Sequence, residues 1–219
     1  FFVTAQTASL APLRSVLGVR TLSLDAGTFE GRIYGDPGTV RFDAMAALTN
    51  LAYNDLRLAD VETRLAGAQG DTTALSALEV RGQVGFLSYS TFSVEDTRFE
   101  GRYEDQRFTF SSSLTVDRER SARLAGAADL RPGTERVILE TFDMRLGTAR
   151  WSLLQEASVT YGDAYRISNL LLYSGQQQLA ADGTVDFDGT QSLVVTMESV
   201  EIGAITDLLG FEGLGGRLS

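Results

Sequence analysis

Residues Arg166 to Met197 read RISNLLLYSGQQQLAADGTVDFDGTQSLVVTM, three short apolar alternations cut by Ser-Gly-Gln and Asp-Gly-Thr turns. Leu179, Ala181, Gly183, Val185 and Phe187 take one parity, while Gln178, Asp182, Asp186 and Asp188 take the other. Period two marks a strand with one dry face. Leu193, Val195 and Met197 resume the pattern beyond Asp188-Gly189-Thr190, so the two runs are expected to pair as a hairpin. Further on, Ile202, Ile205, Leu208 and Leu209 fall at helical spacing and stop at Gly210, which predicts a short helix near 202–210 with a glycine cap.

The same signals run outward from this stretch. Phe108, Phe110, Ser112, Leu114 and Val116 make one dry parity, answered by Ala122, Leu124, Gly126, Ala128 and Leu130. Arg107, Thr109, Ser111, Arg123 and Asp129 occupy the wet one. Nearer the start, Phe29, Gly31 and Ile33 lead through Gly35-Asp36-Pro37-Gly38 to Val40, Phe42 and Ala44. Met45 to Leu51 is apolar without alternation and reads as helical or irregular. Leu56 and Leu58, then Val61, Thr63 and Leu65, change parity near Asp60, which suggests a bulge. Strand starts at this rhythm, with no Pro-, Ser- or charge-rich linker between them, predict one continuous all-β domain over residues 1–219.

The two ends of the chain resemble each other. Val3 to Gly18 (VTAQTASLAPLRSVLG) and Val195 to Gly210 (VTMESVEIGAITDLLG) align without a gap at a constant offset of 192 residues. Val-Thr matches Val-Thr, Leu10 and Leu13 match Ile202 and Ile205, and Leu17-Gly18 matches Leu209-Gly210. This is an internal repeat of long period, with boundaries near 3–18 and 195–210 and a short helix expected in each, near 9–18 and 202–210. The chain opens Phe1-Phe2-Val3 without Met or a signal-like segment, as expected of a piece of a longer protein.

Composition narrows the chemistry. His and Cys are absent, which removes the commonest general base and the usual soft metal ligands. All 19 basic residues are Arg, and a net charge of -10 argues against nucleic acid as a partner. Asp182, Asp186 and Asp188 flank a Gly turn in the manner of a calcium loop, but the remaining ligands are missing at the required spacing. The acidic pairs Glu95-Asp96 and Glu104-Asp105 point to opposite faces if extended, and Ser111-Ser112-Ser113 has no His or Lys to activate a hydroxyl. The expectation is a non-enzyme without cofactor or metal. A dry face this long must close on itself as a sandwich or barrel core, or hold something apolar such as acyl chains.

The pattern Trp151-x-Leu153, Ile167-x-Asn169-Leu170-x-Leu172-x-Ser174-Gly175, Leu179-x-Ala181-x-Gly183-x-Val185-Asp186-x-x-Gly189, then an apolar strand and Leu208-Leu209-Gly210, resembles the repeats of TamB and AsmA-like proteins of the bacterial envelope. The resemblance implies a long U-shaped, antiparallel-rich sheet, or β-taco, with an apolar concave groove that conducts phospholipid between inner and outer membranes through the periplasm. It implies no catalytic residue. Groove-lining positions would be Phe108, Phe110, Leu114, Val116, Leu124, Leu130, Val185, Phe187, Leu193, Val195 and Met197. Gly126, Ala128, Ala181 and Gly183 between them would leave room for acyl chains. Partners would be phospholipid acyl chains and an outer-membrane barrel protein of the TamA/BamA type, with membrane attachment through segments outside this chain. Two other readings stay open. One is a structural or chaperone module offering sheet edges to nascent outer-membrane barrel strands, and the other is a self-contained lipocalin-like barrel.

Overall fold

The computed structural model describes residues 2–7, 22–36, 39–69, 75–90, 92–162, 164–186, 189 and 191–200. The two expected helices, Pro37 and Gly38 of the first turn, and Phe187, Asp188 and Thr190 lie outside them. Among the described residues every regular element is a strand, fifteen in all, joined in one sheet whose pairings are antiparallel. Except for β6 and β12, the strands follow one another across the sheet in chain order. This meander is what short turns between alternating runs produce.

The chain divides into two compact units, Phe1–Asp105 with Leu114–Val116 and Gln106–Ser113 with Asp117–Ser219. The division falls in a hairpin and not in a linker, so nothing in the composition marks it. The first unit contains β1 (Phe2–Thr7), β2 (Leu22–Asp36), β3 (Thr39–Tyr53), β4 (Leu56–Gln69), β5 (Leu75–Tyr89), β6 (Phe92–Val94) and β7 (Asp96–Glu104). β8 (Arg107–Thr115) follows a two-residue turn in which Asp105 and Gln106 have φ of 50° and 61°. Positive φ at both central residues is the type I′ requirement, matched to the twist of the strands.

Met45 to Leu51, expected to be helical or irregular, lies within β3. Ala44, Ala46 and Leu48 face one way, and Met45 and Ala47 the other, so apolar residues on both faces hide the alternation. A second cause lies at Thr49-Asn50. The dry parity shifts there, from Leu48 to Leu51, and shifts at the same height in every neighbour. Leu24 precedes Gly27, Leu58 precedes Val61, Val84 precedes Leu87, and Val94 precedes Thr97. Pairing continues through the shift without a change of register (Leu48↔Val61, Leu51↔Leu58, Val84↔Val61, Leu87↔Leu58). The feature expected as a bulge at Asp60 is therefore a crease across adjacent strands, in which no strand has an extra residue. Left-handed backbone at Asn50 (φ 52°) and Asp60 (φ 53°) makes the step, and the Asn50 amide donates to Asp25 Oδ2 at 2.8 Å across it.

The second unit contains β9 (Arg120–Asp129), β10 (Arg136–Leu146), β11 (Ala149–Leu153), β12 (Ala157–Thr160), β13 (Tyr165–Ser174), β14 (Gln177–Val185) and β15 (Ser192–Glu198). Here the irregularities are true register shifts, at Leu139/Thr141 against β9 and at Ile167/Leu170 against β14. Asn169 has φ 60° at the latter, and its backbone N–H donates to Asp182 Oδ2 at 3.2 Å. β14 and β15 form the hairpin read from the opening stretch, with Leu179↔Met197, Ala181↔Val195 and Gly183↔Leu193 in register. The core of this unit gathers Leu146, Trp151 and Val200, with Met144, Leu172, Leu179 and Met197 packed on it.

Candidate functional site

Side chains directly opposite each other in an antiparallel pair lie on the same side of the sheet, so the registers sort every residue to a face. In the second unit one face carries Met197, Val195 and Leu193 from β15 beside Leu179, Ala181, Gly183 and Val185 from β14. It continues through Tyr165, Ile167, Leu170 and Leu172, then Leu153 and Val159, to Trp151. Val137, Leu139, Phe142 and Met144 of β10 pair with Ala128, Gly126, Leu124 and Ala122 of β9 on the same side. Phe110 joins them, because a Cβ on Gly126 would lie 3.1 Å from its Cζ. The Phe108 and Phe110 rings stack with centroids 6.4 Å apart and planes at 23°.

The structure thus brings Phe108, Phe110, Leu124, Val185, Leu193, Val195 and Met197 to one apolar face. Leu114 keeps the parity of Phe108 and Phe110 along β8 and is half-buried. Val116 lies past the end of β8, and Leu130 lies past β9 with its backbone N–H on the Gln106 carbonyl at 2.8 Å. Neither sits in the strand pattern that placed it in the expected lining. Residues absent from that expectation hold the centre of the face, Trp151 and Leu146 above all. Trp151 is 3% exposed, and its indole N–H has no acceptor among the described residues. The alternation Trp151-x-Leu153 and Met144-x-Leu146 was the signal available for them.

The small residues do not leave the room expected of them. Phe110 lies over Gly126, and backbone of Ser192 and Leu193 lies against Gly183, whose φ is +132°. Ala128 and Ala181 are buried. Large and small residues here interlock, as in aromatic cover of strand glycines. Exposure is found at the β15 end, where Val195 is 48% exposed and Leu193 40%.

The first unit has its own dry face, which the expected lining left out. Phe42, Leu48, Leu51, Leu58, Val61, Leu65, Leu78, Val80, Val84, Leu87 and Phe99 share one side by register. Val61 and Val84 are buried, most of the others half-buried, and Phe29, Ile33, Val40 and Tyr89 exposed. Full burial of one such side chain contributes roughly 1.5–3 kcal/mol, so partial exposure forgoes a share of this at each position.

The opposite side of this unit is ionic. Asp43 on β3 accepts from Arg64 Nε at 3.1 Å and Nη2 at 2.8 Å, and from Arg32 at 3.3 Å. Arg64 first, and Arg32 after it, hold the Asp43 carboxyl below its ordinary value, and Asp43 in turn holds Arg64 above its own. A recess of about 780 Å³ opens on this charged side, with Glu30, Glu62 and Glu100 beside Arg64, Arg81 and Arg98 in its wall. Charges of both signs alternate there, which gives no field for a polyanion. Among the described residues no group of three or more Asp or Glu side chains is placed to hold a metal ion, and no helix is long and apolar enough to cross a membrane.

No protein-family model, curated protein or solved structure matches the chain.

Proposed function

We propose that the chain is a lipid-binding segment of a TamB-like envelope bridge, whose dry sheet face conducts phospholipid acyl chains past the periplasm without catalysis. One observation carries the reading: large apolar side chains form a continuous face across the strands of each unit, and around its buried centre many of them stay half-exposed. Acyl chains suit such a surface because each buried methylene contributes about 0.8 kcal/mol with no demand for directional partners. The ionic opposite side of the first unit suits a water-facing exterior.

The reading is tested by photocrosslinking in a cell envelope with a photoreactive residue at Phe110 or Val195, together with mass spectrometry of an organic extract of the purified chain. Phospholipid adducts at both positions and co-purified phospholipid are expected. Their joint absence would sink the reading.

A second reading has an observation of its own. β15 is an edge strand in the described sheet, and Val194 is 65% exposed beside Val195. A module that offers sheet edges to nascent barrel strands would use such an edge. A charge on the dry face, as in Leu114→Asp, should spare binding to a barrel strand under this reading and abolish lipid adducts under the first.

A further inference from the structure

We propose that the free edge of β15 is a docking site for an extended polypeptide strand of the β2 pattern, taken antiparallel with Val195 opposite the position of Gly31. The proposal does not rest on the lipid reading. It joins the sequence repeat to a register seen in the structure. At the offset of 192 residues, Val195 and Thr196 of β15 correspond to Val3 and Thr4 of β1. β1 is itself paired, with Val3 opposite Gly31 and Thr4 opposite Glu30 of β2. β15 already has β14 on one side, and among the described residues its other side has no neighbour.

Carrying the β1–β2 register to β15 places Leu193 opposite Ile33, Val195 opposite Gly31 and Met197 opposite Phe29, all on the dry face. The wet face receives Val194 opposite Arg32, Thr196 opposite Glu30 and Glu198 opposite Thr28. A slip of one residue would set Met197 against Glu30 and turn the apolar set of the incoming strand to the wrong side. Within SLVVTME there is no Lys, Arg or Pro, Glu198 at its end is the one charge, and its dry parity is interrupted by no bulge, so the strand itself carries few of the devices that block pairing. The incoming strand is thus specified by an alternation of apolar and small residues at every second position, as in Gly27, Phe29, Gly31 and Ile33.

The test uses a labelled peptide with the sequence of Leu22–Asp36 and the full chain. Saturable binding by fluorescence anisotropy is expected, weakened about ten-fold or more when Phe29 and Ile33 of the peptide are replaced by Asp. The chain has no Cys, so Val195→Cys gives a unique thiol at a half-exposed position. Peptides with Cys in place of Glu30, Gly31 or Arg32 then read the register, and disulfide formation is expected fastest at the Gly31 position. Absence of saturable binding to the unsubstituted chain, or equal disulfide rates at all three positions, would overturn the proposal. So would disulfide-linked dimers of Val195→Cys that form faster than any peptide adduct, which would make a second copy's β15 the occupant.

Discussion

Three phenylalanines lie over three glycines on the strand beside them: Phe42 over Gly67, Phe99 over Gly82 and Phe110 over Gly126. A side chain at any of these glycines must displace a ring or the backbone. A Cβ on Gly82 would come within 2.6 Å of both Phe99 Cζ and the Glu62 carbonyl oxygen, and the second of these cannot move away without breaking the sheet. Gly82→Ala is expected to lower stability by about 1–3 kcal/mol. Gly85→Ala, whose Cβ would come to 3.1 Å from the Asp60 side chain and no nearer than 3.7 Å to backbone, at the Ala59 carbonyl oxygen, is expected to cost clearly less. Urea denaturation of the two variants decides this, and equal midpoints would refute it. The ionic residues make a different prediction. Asp129 is held well below its ordinary 3.8 by the Arg131 side chain first, then by the Arg131 backbone N–H and Thr134. A carboxyl lowered in the folded state contributes stability that is present above the unfolded value and is lost as pH falls through the folded one. The difference in melting temperature between wild type and Asp129→Asn should therefore be largest at about pH 7 and shrink below about pH 3.8. A difference independent of pH would show that the ion pair is not its source.

At the scale of elements, alternation was legible wherever a strand kept one parity, as in β8, β9 and β14, and their hairpins could be read with it. It failed at β3. The Ala-rich run from Met45 puts small residues on both faces, and the crease at Thr49-Asn50 moves the dry set by one position midway. The parity change at Asp60 was visible in the sequence, but a parity change alone cannot tell an inserted residue from a crease shared by adjacent strands. Only the registers separate them. The crease depends on left-handed backbone, which Asn and Asp tolerate and β-branched residues do not. Asn50→Val is expected to destabilise by about 1–3 kcal/mol and Asn50→Gly by much less, as measured by thermal unfolding. If Val were tolerated as well as Gly, the crease would have another origin.

At the largest scale, the dry face of each unit divides into interlocked and exposed parts, and substitutions in the second unit should separate them. Trp151→Ala removes the centre of the second unit's core and is expected to cost about 3–5 kcal/mol. Val195→Asp, at a position 48% exposed, is expected to change unfolding free energy by less than about 1 kcal/mol. On the lipid-path reading, Val195→Asp nevertheless reduces phospholipid adducts at neighbouring positions. Unchanged adduct yield in this stable variant would move the path away from β15.

From sequence alone most strands outside β3, their dry and wet sides and most turns could be read, because period two and turn chemistry are local properties of adjacent residues. It also carries the likeness between Val3–Gly18 and Val195–Gly210, and it supplied the resemblance from which the lipid reading comes. Tertiary structure decided which dry positions meet. Phe110 fills the space over Gly126, Trp151 and Leu146 take the centre, and Val116 and Leu130 fall outside the strands, because these outcomes depend on register between segments distant in the chain. The side of β15 that has no neighbour among the described residues belongs to the same class, since alternation says that a strand has a dry face and pairing alone says which of its edges is left open.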